Sequence, residues 1–170
     1  MKLRARLTRA LYDEIRADLL RPHPFAEERV GFVAASLGNA DGADPLVLLH
    51  SYQPVPDERY IDDPKTGARI DASAIRNAMQ RVLDERQGIF HVHMHFHKGP
   101  TRFSRLDRAE LPRLVASFRG VGPGYAHGLL MLSYDHGFAS VWLPGREQPM
   151  NATRVTVVGR PLTFWEDESL

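Results

Sequence analysis

The stretch GIFHVHMHFH, residues 88–97, constrains the fold most, because apolar and imidazole side chains alternate along it. Successive side chains of a β-strand point to opposite faces of the sheet. On a strand, four apolar side chains would share one face and pack into a core: Phe90, Val92, Met94 and Phe96. The other face would carry Ile89 and four histidines: His91, His93, His95 and His97. We therefore predict a strand with one apolar face and one imidazole face.

Two interpretations of the histidine face are open. It could consist of half-exposed polar residues that face solvent. It could instead bind a metal, since histidines two apart on a strand lie about 6.5–7 Å from each other, and their ring nitrogens can converge on a zinc ion at about 2.0–2.1 Å. Chance rarely places four histidines in strict alternation, and imidazoles that become charged together repel. We favour the metal site.

The composition restricts which side chains could complete such a site. The chain has no cysteine, which excludes disulfides, thiolate catalysis and cysteine-ligated zinc, so a metal here must rely on His, Asp and Glu. The 22 basic and 21 acidic residues give a formal net charge of +1. Nucleic-acid and membrane binding usually require a large basic excess, and we expect neither partner.

The targeting signals and the class of fold can also be predicted. No run of the sequence reaches the length of a membrane span, and the N-terminus lacks the apolar core of a signal peptide, so we expect a cytoplasmic protein. A chain of 170 residues suits one compact domain spanning 1–170. Because predicted strands and helices intermix along it, we expect an α/β or α+β fold.

The other elements follow from periodicity and from capping and turn residues. We predict an amphipathic helix over 3–20 and a helix from Asp71 or Ser73 to about Glu85. The inner face of the second helix would carry Ile75, Met79, Val82 and Leu83. Predicted strands cover 29–38 and 46–55, with a turn at 39–45 between them. Residues 54–70 form a predicted exposed loop, 127–135 and 138–145 a hairpin, and 152–165 a last strand with a tail.

Ser104 and Asp107 have two compatible interpretations. The sequence Ser104-Arg105-Leu106-Asp107 has the S-x-x-D form of a capping box, which would begin a helix that continues to about Phe118. Asp107 is also the nearest candidate for the third protein ligand of a catalytic zinc. A helix start is a rigid place from which a carboxylate can be directed at a metal. Taken alone, the two residues do not decide between these roles.

The combined pattern resembles a known family. An H-x-H pair, then roughly seven residues, then S-x-x-D, with E-x-x-G far upstream at Glu28-Arg29-Val30-Gly31, is similar to the JAMM motif of the JAB/MPN metalloproteases. The order Glu, His, His, Ser, Asp and the order of the predicted elements match this family over residues 8–145. The context is especially similar to bacterial JAB proteins encoded beside genes for ubiquitin-like conjugation, in operons of the Bil type.

Two departures from the motif leave the pair of histidine ligands open. The family usually has proline after the second histidine, where this chain has Phe96. It usually has seven residues between the second histidine and the serine. Eight residues separate His95 from Ser104, and six separate His97 from Ser104. The pair is therefore His93/His95 or His95/His97. We favour His93/His95, because a loop at 99–100 can accommodate one extra residue.

The resemblance implies a mixed β-sheet flanked by helices, similar to cytidine deaminases, and a zinc ion held by His93, His95 and Asp107. It implies that Glu28 is the general base and acid and that Ser104 stabilises the oxyanion. The implied activity is that of a peptidase or isopeptidase acting after the C-terminus of a ubiquitin-like protein, in deconjugation or precursor maturation within antiphage defence. Implied partners are that protein, its conjugates, and the E1-like and E2-like proteins of the same operon. The alternative is a non-catalytic MPN-type scaffold.

Overall fold

The computed structural model describes residues 1–24, 26–38, 44–63 and 66–167. Within these ranges nine strands join in one mixed sheet, accompanied by three α-helices and a short 3-10 helix at Asp57–Arg59. The α-helices are α1 (Arg9–Leu19), α2 (Ala72–Glu85) and α3 (Arg105–Val121). The strands are β1 (Arg4–Thr8), β2 (Val30–Gly38), β3 (Leu46–Pro54), β4 (Gly88–Met94), β5 (His127–Leu132), β6 (Gly137–Trp142), β7 (Met150–Asn151), β8 (Arg154–Val158) and β9 (Thr163–Glu166). The predicted mixture of helices and strands is confirmed.

The histidine strand β4 lies inside the sheet, whose strand order is β7-β6-β5-β4-β2-β3-β1-β8-β9. It pairs antiparallel with β2 and parallel with β5. The sheet curls, so that the Trp165 ring on β9 packs against Gly137 on β6, and its indole N–H donates to the Asp135 carbonyl at 2.8 Å. Every residue of β4 is consequently buried.

The predicted alternation of β4 is confirmed along the strand and fails beyond it. Phe90, Val92 and Met94 pack in the core on the α1 side of the sheet. Ile89 packs on the other side with α2 and α3, and His91 and His93 share that face. Phe96, predicted to be in the core, is 47% exposed because the strand ends at Met94.

The N-terminal prediction is wrong over its first residues. Residues 4–8 form a strand that pairs parallel with β3 and β8, and the helix begins only at Arg9. Leu3, Ala5 and Leu7 alternate with polar residues and are buried, which is the period of a strand. The separation of Leu3 from Leu7 suits either a helix or a strand, so leucine spacing alone cannot distinguish them.

Segment 54–70 is only partly the exposed loop that was predicted. Val55 and Tyr60 are buried, and the Tyr60 hydroxyl accepts the Val30 N–H at 2.9 Å. Tyr60 also forms an isolated β-bridge with Ile70. Tyr60 therefore anchors the segment to the start of β2, and the bridge joins the two ends of its polar stretch to each other. Residues 64–65 of this loop, and residues 39–43 of the predicted turn at 39–45, lie outside the described residues.

Most other predicted elements are confirmed, with two corrections. Asp71 caps α2, Ser104 caps α3, and β5 and β6 form the predicted antiparallel hairpin. Leu83, predicted on the inner face of α2, is 51% exposed, because Ala74, Ala78 and Val82 form that face. Residues 152–165 hold the hairpin of β8 and β9 rather than one strand. None of the helices in the described ranges has the length and apolar character needed to cross a membrane.

Candidate metal centre

The register between β2 and β4 explains how Glu28 reaches the histidines. Val30 of β2 lies opposite His93 of β4 in an antiparallel ladder. The same register, continued past the strand ends, places Glu28 opposite His95. The Glu28 Oε1 atom lies 4.0 Å from the His95 Nε2 atom. The Glu28 N–H donates to the Gly67 carbonyl at 2.9 Å, which fixes the backbone from which the carboxylate projects.

His93 and His95 direct their ring nitrogens at each other. The two Nε2 atoms are 3.2 Å apart. His93 belongs to β4, while His95 follows the strand and donates its backbone N–H to the Leu132 carbonyl at 2.9 Å. This extra hydrogen bond to β5 keeps His95 in line with the strand beyond its formal end. The side chains of both residues therefore stay on the same face of the sheet.

Asp107 approaches both histidines from the first turn of α3. Its Oδ1 atom lies 3.6 Å from His93 Nε2, and its Oδ2 atom lies 3.5 Å from His95 Nε2. The predicted capping box is present as well: the Ser104 N–H donates to Asp107 Oδ2 at 2.7 Å, and the Asp107 N–H donates to Ser104 Oγ at 3.1 Å. The capping interpretation of the S-x-x-D sequence is thus confirmed, and the same carboxylate lies beside the histidine pair.

Three side chains come together around one point, and Asp107 borders them. Ligand atoms of Glu28, His93 and His95 all lie within 4.8 Å of one another, and these three residues could hold a metal ion. The carboxylate of Asp107 is closer to His95 Nε2 than the carboxylate of Glu28 is, at 3.5 Å against 4.0 Å. Two carboxylates therefore compete for the role of third ligand, and distance favours Asp107.

The cluster shifts the pKa values of its members in opposite directions. The hydrogen bond with Asp107 raises the pKa of His95. Burial disfavours the charged form of Asp107, but the hydrogen bonds from His93 and His95 outweigh burial and hold the pKa of Asp107 well below its usual range. Burial raises the pKa of Glu28, against the opposing effect of the two histidines. Asp107 is thus held as an anion, while Glu28 is the better proton acceptor of the two carboxylates.

His91 and His97 have different environments from the central pair. His91 is buried beside His93, with its ring 6.0 Å from the Phe32 ring in an edge-on contact. Burial lowers the pKa of His91 to about 3, so its imidazole is neutral. His97 is exposed, and its Nδ1 atom lies 3.0 Å from the Lys98 carbonyl. The structure therefore brings His93 and His95 together, and His97 lies outside their cluster.

The cluster opens into a cavity of about 670 Å³ between segment 66–70 and the N-terminal half of α3. Glu28, His93, His95 and Asp107 are among the residues that line it. The walls include Ala68, Ile70, Leu106, Leu111 and Leu114. Ser104 also lines the cavity. Since Ser104 Oγ accepts the Asp107 N–H, the hydroxyl proton is left as a donor toward a bound molecule.

Two neighbours of Glu28 in sequence have clear structural roles. Arg29 is buried, and its guanidinium donates to the Arg21 and Pro22 carbonyls and to the Asp57 carboxylate. These contacts tie the residue after Glu28 to the end of α1. Gly31 lies under the Tyr52 ring, which a β-carbon at this position would meet. The glycine of the E-x-x-G sequence is thus required by packing.

Thr101 also belongs to the site, although the sequence patterns did not predict it. It is buried, and its hydroxyl oxygen lies 3.2 Å from His95 Nδ1, on the side of the ring that faces away from the cluster. No periodicity or spacing marks this threonine, which follows Gly99 and Pro100 in an irregular segment. Its contact with His95 arises only from the path of the chain between β4 and α3.

Neither protein-family models nor curated proteins give a match to the chain. The resemblance to the JAB/MPN family therefore depends on the motif residues alone, and it stays a prediction. The geometry is independent of it: a pair of imidazole nitrogens, two carboxylates and a serine hydroxyl lie beside one cavity.

Proposed function

We propose that this chain is a zinc-dependent peptidase or isopeptidase of the JAB/MPN type. The observation that carries the proposal is the convergence of His93, His95 and Asp107, with Glu28 beside them, in the lining of an open cavity. The mixed sheet with helices packed on its faces is compatible with a JAB/MPN domain and with its deaminase-like arrangement.

The separations within the cluster support zinc as the metal. Ligand atoms about 2.0–2.2 Å from a tetrahedral zinc lie about 3.3 Å from one another. The two imidazole nitrogens are 3.2 Å apart, and the Asp107 oxygens are 3.5 and 3.6 Å from them. Two neutral imidazoles and one carboxylate would leave a fourth position open, as catalytic zinc sites do. The donor set is therefore of the type that zinc prefers, at separations close to those of a zinc site.

Glu28 has the environment of a proton carrier. Bound zinc supplies Lewis-acid activation of water near neutral pH. Glu28 lies at the edge of the ligand set, 4.0 Å from His95, with a pKa that burial raises. Its carboxylate would take a proton from the attacking water and return it to the leaving amine. The free proton of Ser104 would be donated to the carbonyl oxygen of the scissile bond as negative charge develops there.

The cavity beside the cluster has room for part of an extended peptide substrate. It runs from the cluster between segment 66–70 and α3, and several apolar side chains line it. An extended tail can bind in such a groove through main-chain hydrogen bonds to an irregular edge. By resemblance, that tail would be the C-terminus of a ubiquitin-like protein, joined to a target by an isopeptide bond or to a precursor by a peptide bond.

The decisive assay uses a ubiquitin-like protein encoded beside this gene, fused through its C-terminus to a reporter protein. Wild type and the Glu27→Gln control, which changes an exposed neighbour, should cleave the fusion at equal rates. Glu28→Gln should bind zinc normally and lose cleavage by about 100-fold or more, the lower range for a general base. Retained cleavage in Glu28→Gln would refute the mechanism. A wild-type chain that resists zinc loading would instead favour a non-catalytic scaffold.

A further inference from the structure

Thr101 makes two contacts that link the predicted metal ligands to the sheet behind them. Its hydroxyl oxygen lies 3.2 Å from His95 Nδ1, and its hydroxyl donates to the Met131 sulfur at 3.0 Å. Met131 lies on β5 directly opposite His93 in the parallel ladder. Thr101 is only 3% exposed, so water does not compete for its hydroxyl. The chain of contacts from Met131 through Thr101 ends on His95.

These contacts determine where the proton of a neutral His95 lies. A thioether sulfur can only accept, so the single hydroxyl proton of Thr101 is used in the contact with Met131. With its proton engaged at Met131, the threonine oxygen presents a lone pair to His95 Nδ1, and in this arrangement Nδ1 is the donor. A neutral imidazole has one N–H, so Nε2 is left as a bare acceptor. That bare nitrogen is the one directed at His93 and Asp107.

We propose that Thr101 is a positioning residue that fixes the Nδ1–H tautomer of His95 and thereby prepares Nε2 to bind the metal. The proposal rests on the metal site of the proposed function and concerns a residue outside that ligand set. With Nε2 bare, His95 presents a lone pair at the point that His93 and Asp107 also approach. A threonine that holds Nδ1 as the donor therefore prepares His95 as a metal ligand.

The test compares Thr101→Val, which removes the hydroxyl at nearly constant shape, with Thr101→Ser, which keeps it. Affinity for Zn²⁺ is measured by competition with a chromophoric chelator, and the visible spectrum of Co²⁺-loaded protein reports ligand geometry. Loss of an outer hydrogen-bond partner typically weakens metal binding by about 10–100-fold. We expect that loss in Thr101→Val and near-wild-type affinity in Thr101→Ser. Thr156→Val on β8, far from the cluster in sequence, is the matched control and should bind as wild type does.

The outcomes separate this proposal from the proposed function. A Thr101→Val chain that binds Zn²⁺ as tightly as a metal-binding wild type overturns the role of Thr101 alone. A Thr101→Ser chain that binds Zn²⁺ as weakly as Thr101→Val does would also overturn the role of Thr101. A wild-type chain that binds no metal overturns both proposals.

Proton exchange in the zinc-loaded wild type provides a measurement that needs no variant. By NMR, the His95 Nδ1–H should exchange slowly with solvent, since its acceptor is a buried hydroxyl. The exposed His97 ring is the internal comparison. Exchange of the His95 proton as fast as that of His97 would overturn the proposal even if Thr101→Val failed to fold.

Discussion

Asp107 Oδ2 lies 3.5 Å from His95 Nε2 and at the same time accepts the Ser104 N–H at 2.7 Å. One carboxylate oxygen thus belongs both to the N-terminal cap of α3 and to the histidine cluster. Helix capping orders the first turn of α3, and this order fixes the position from which the carboxylate meets the imidazoles. The stability of the helix and the geometry of the site are therefore linked through a single side chain.

The linkage predicts different results for Ser104→Ala and Asp107→Ala. Ser104→Ala removes one capping hydrogen bond, and it should lower the free energy of unfolding by about 1 kcal/mol while metal binding is retained. Asp107→Ala should lose the metal as well as the cap. Urea unfolding with and without chelator, combined with metal analysis, checks both. Loss of metal in Ser104→Ala would contradict this prediction, because it would show that the first turn of α3 needs the serine hydroxyl to form.

His95 and His97 offer a matched pair for identifying the ligand. His95 belongs to the cluster, whereas His97 is exposed beyond it. His95→Ala should reduce zinc affinity by more than about 100-fold, the upper range for loss of an outer partner. His97→Ala should bind zinc as wild type does. Chelator competition measures both affinities. An equal loss in the two variants would mean that His97 is a metal ligand as well as His95.

Gly31 should be intolerant of a side chain. A β-carbon there would meet the Tyr52 ring, whose hydroxyl is held by a 2.6 Å hydrogen bond to Asp18. Overpacking of this kind costs about 1–3 kcal/mol, so Gly31→Ala should lower the free energy of unfolding by that amount. In a double-mutant cycle, Tyr52→Leu should relieve most of the cost. Additive effects of the two substitutions would exclude the contact as the cause.

His127 should make stability depend on pH. The ring is fully buried, with Nδ1 accepting the Ile89 N–H and Nε2 lying 2.8 Å from the Gly122 carbonyl. Burial lowers the pKa of His127, while the unfolded chain binds the proton at about pH 6.5. Below about pH 6.5 the unfolded state therefore binds more protons than the folded state. The free energy of unfolding consequently decreases as the pH is lowered from about 6.5 to the pKa of His127 in the folded state.

Urea unfolding of metal-free protein between pH 5 and pH 8 tests this dependence. One group contributes a slope of at most about 1.4 kcal/mol per pH unit. His127→Gln should remove its part of the slope whatever its effect on stability at pH 8. His91 and the cluster histidines are present in both chains, so their contributions cancel in the difference. An identical slope in the variant would contradict the assignment.

The parts of the fold that sequence could predict are those set by local patterns. Strict alternation predicts β4, and the capping residues Asp71 and Ser104 predict the starts of α2 and α3. Prediction from residue spacing fails where one spacing suits both a helix and a strand, as at Leu3 and Leu7. It also fails where a strand ends before its alternating pattern does, as at Phe96.

The candidate site shows the same limit. The motif spacing predicts the pairing of Asp107 with the histidines, and the E-x-x-G sequence predicts Glu28. Thr101 and Arg29 could not be predicted, because their contacts depend on how distant segments pack and leave no periodic trace in the sequence.

The zinc content of Glu28→Gln compared with that of Asp107→Asn distinguishes the two carboxylates that approach the histidine pair. Both substitutions remove one charge at nearly constant shape. We expect wild type and Glu28→Gln each to hold about one zinc per chain after gel filtration, and Asp107→Asn to hold none. Loss of zinc from Glu28→Gln with retention in Asp107→Asn would make Glu28 the ligand and contradict its role as the general base.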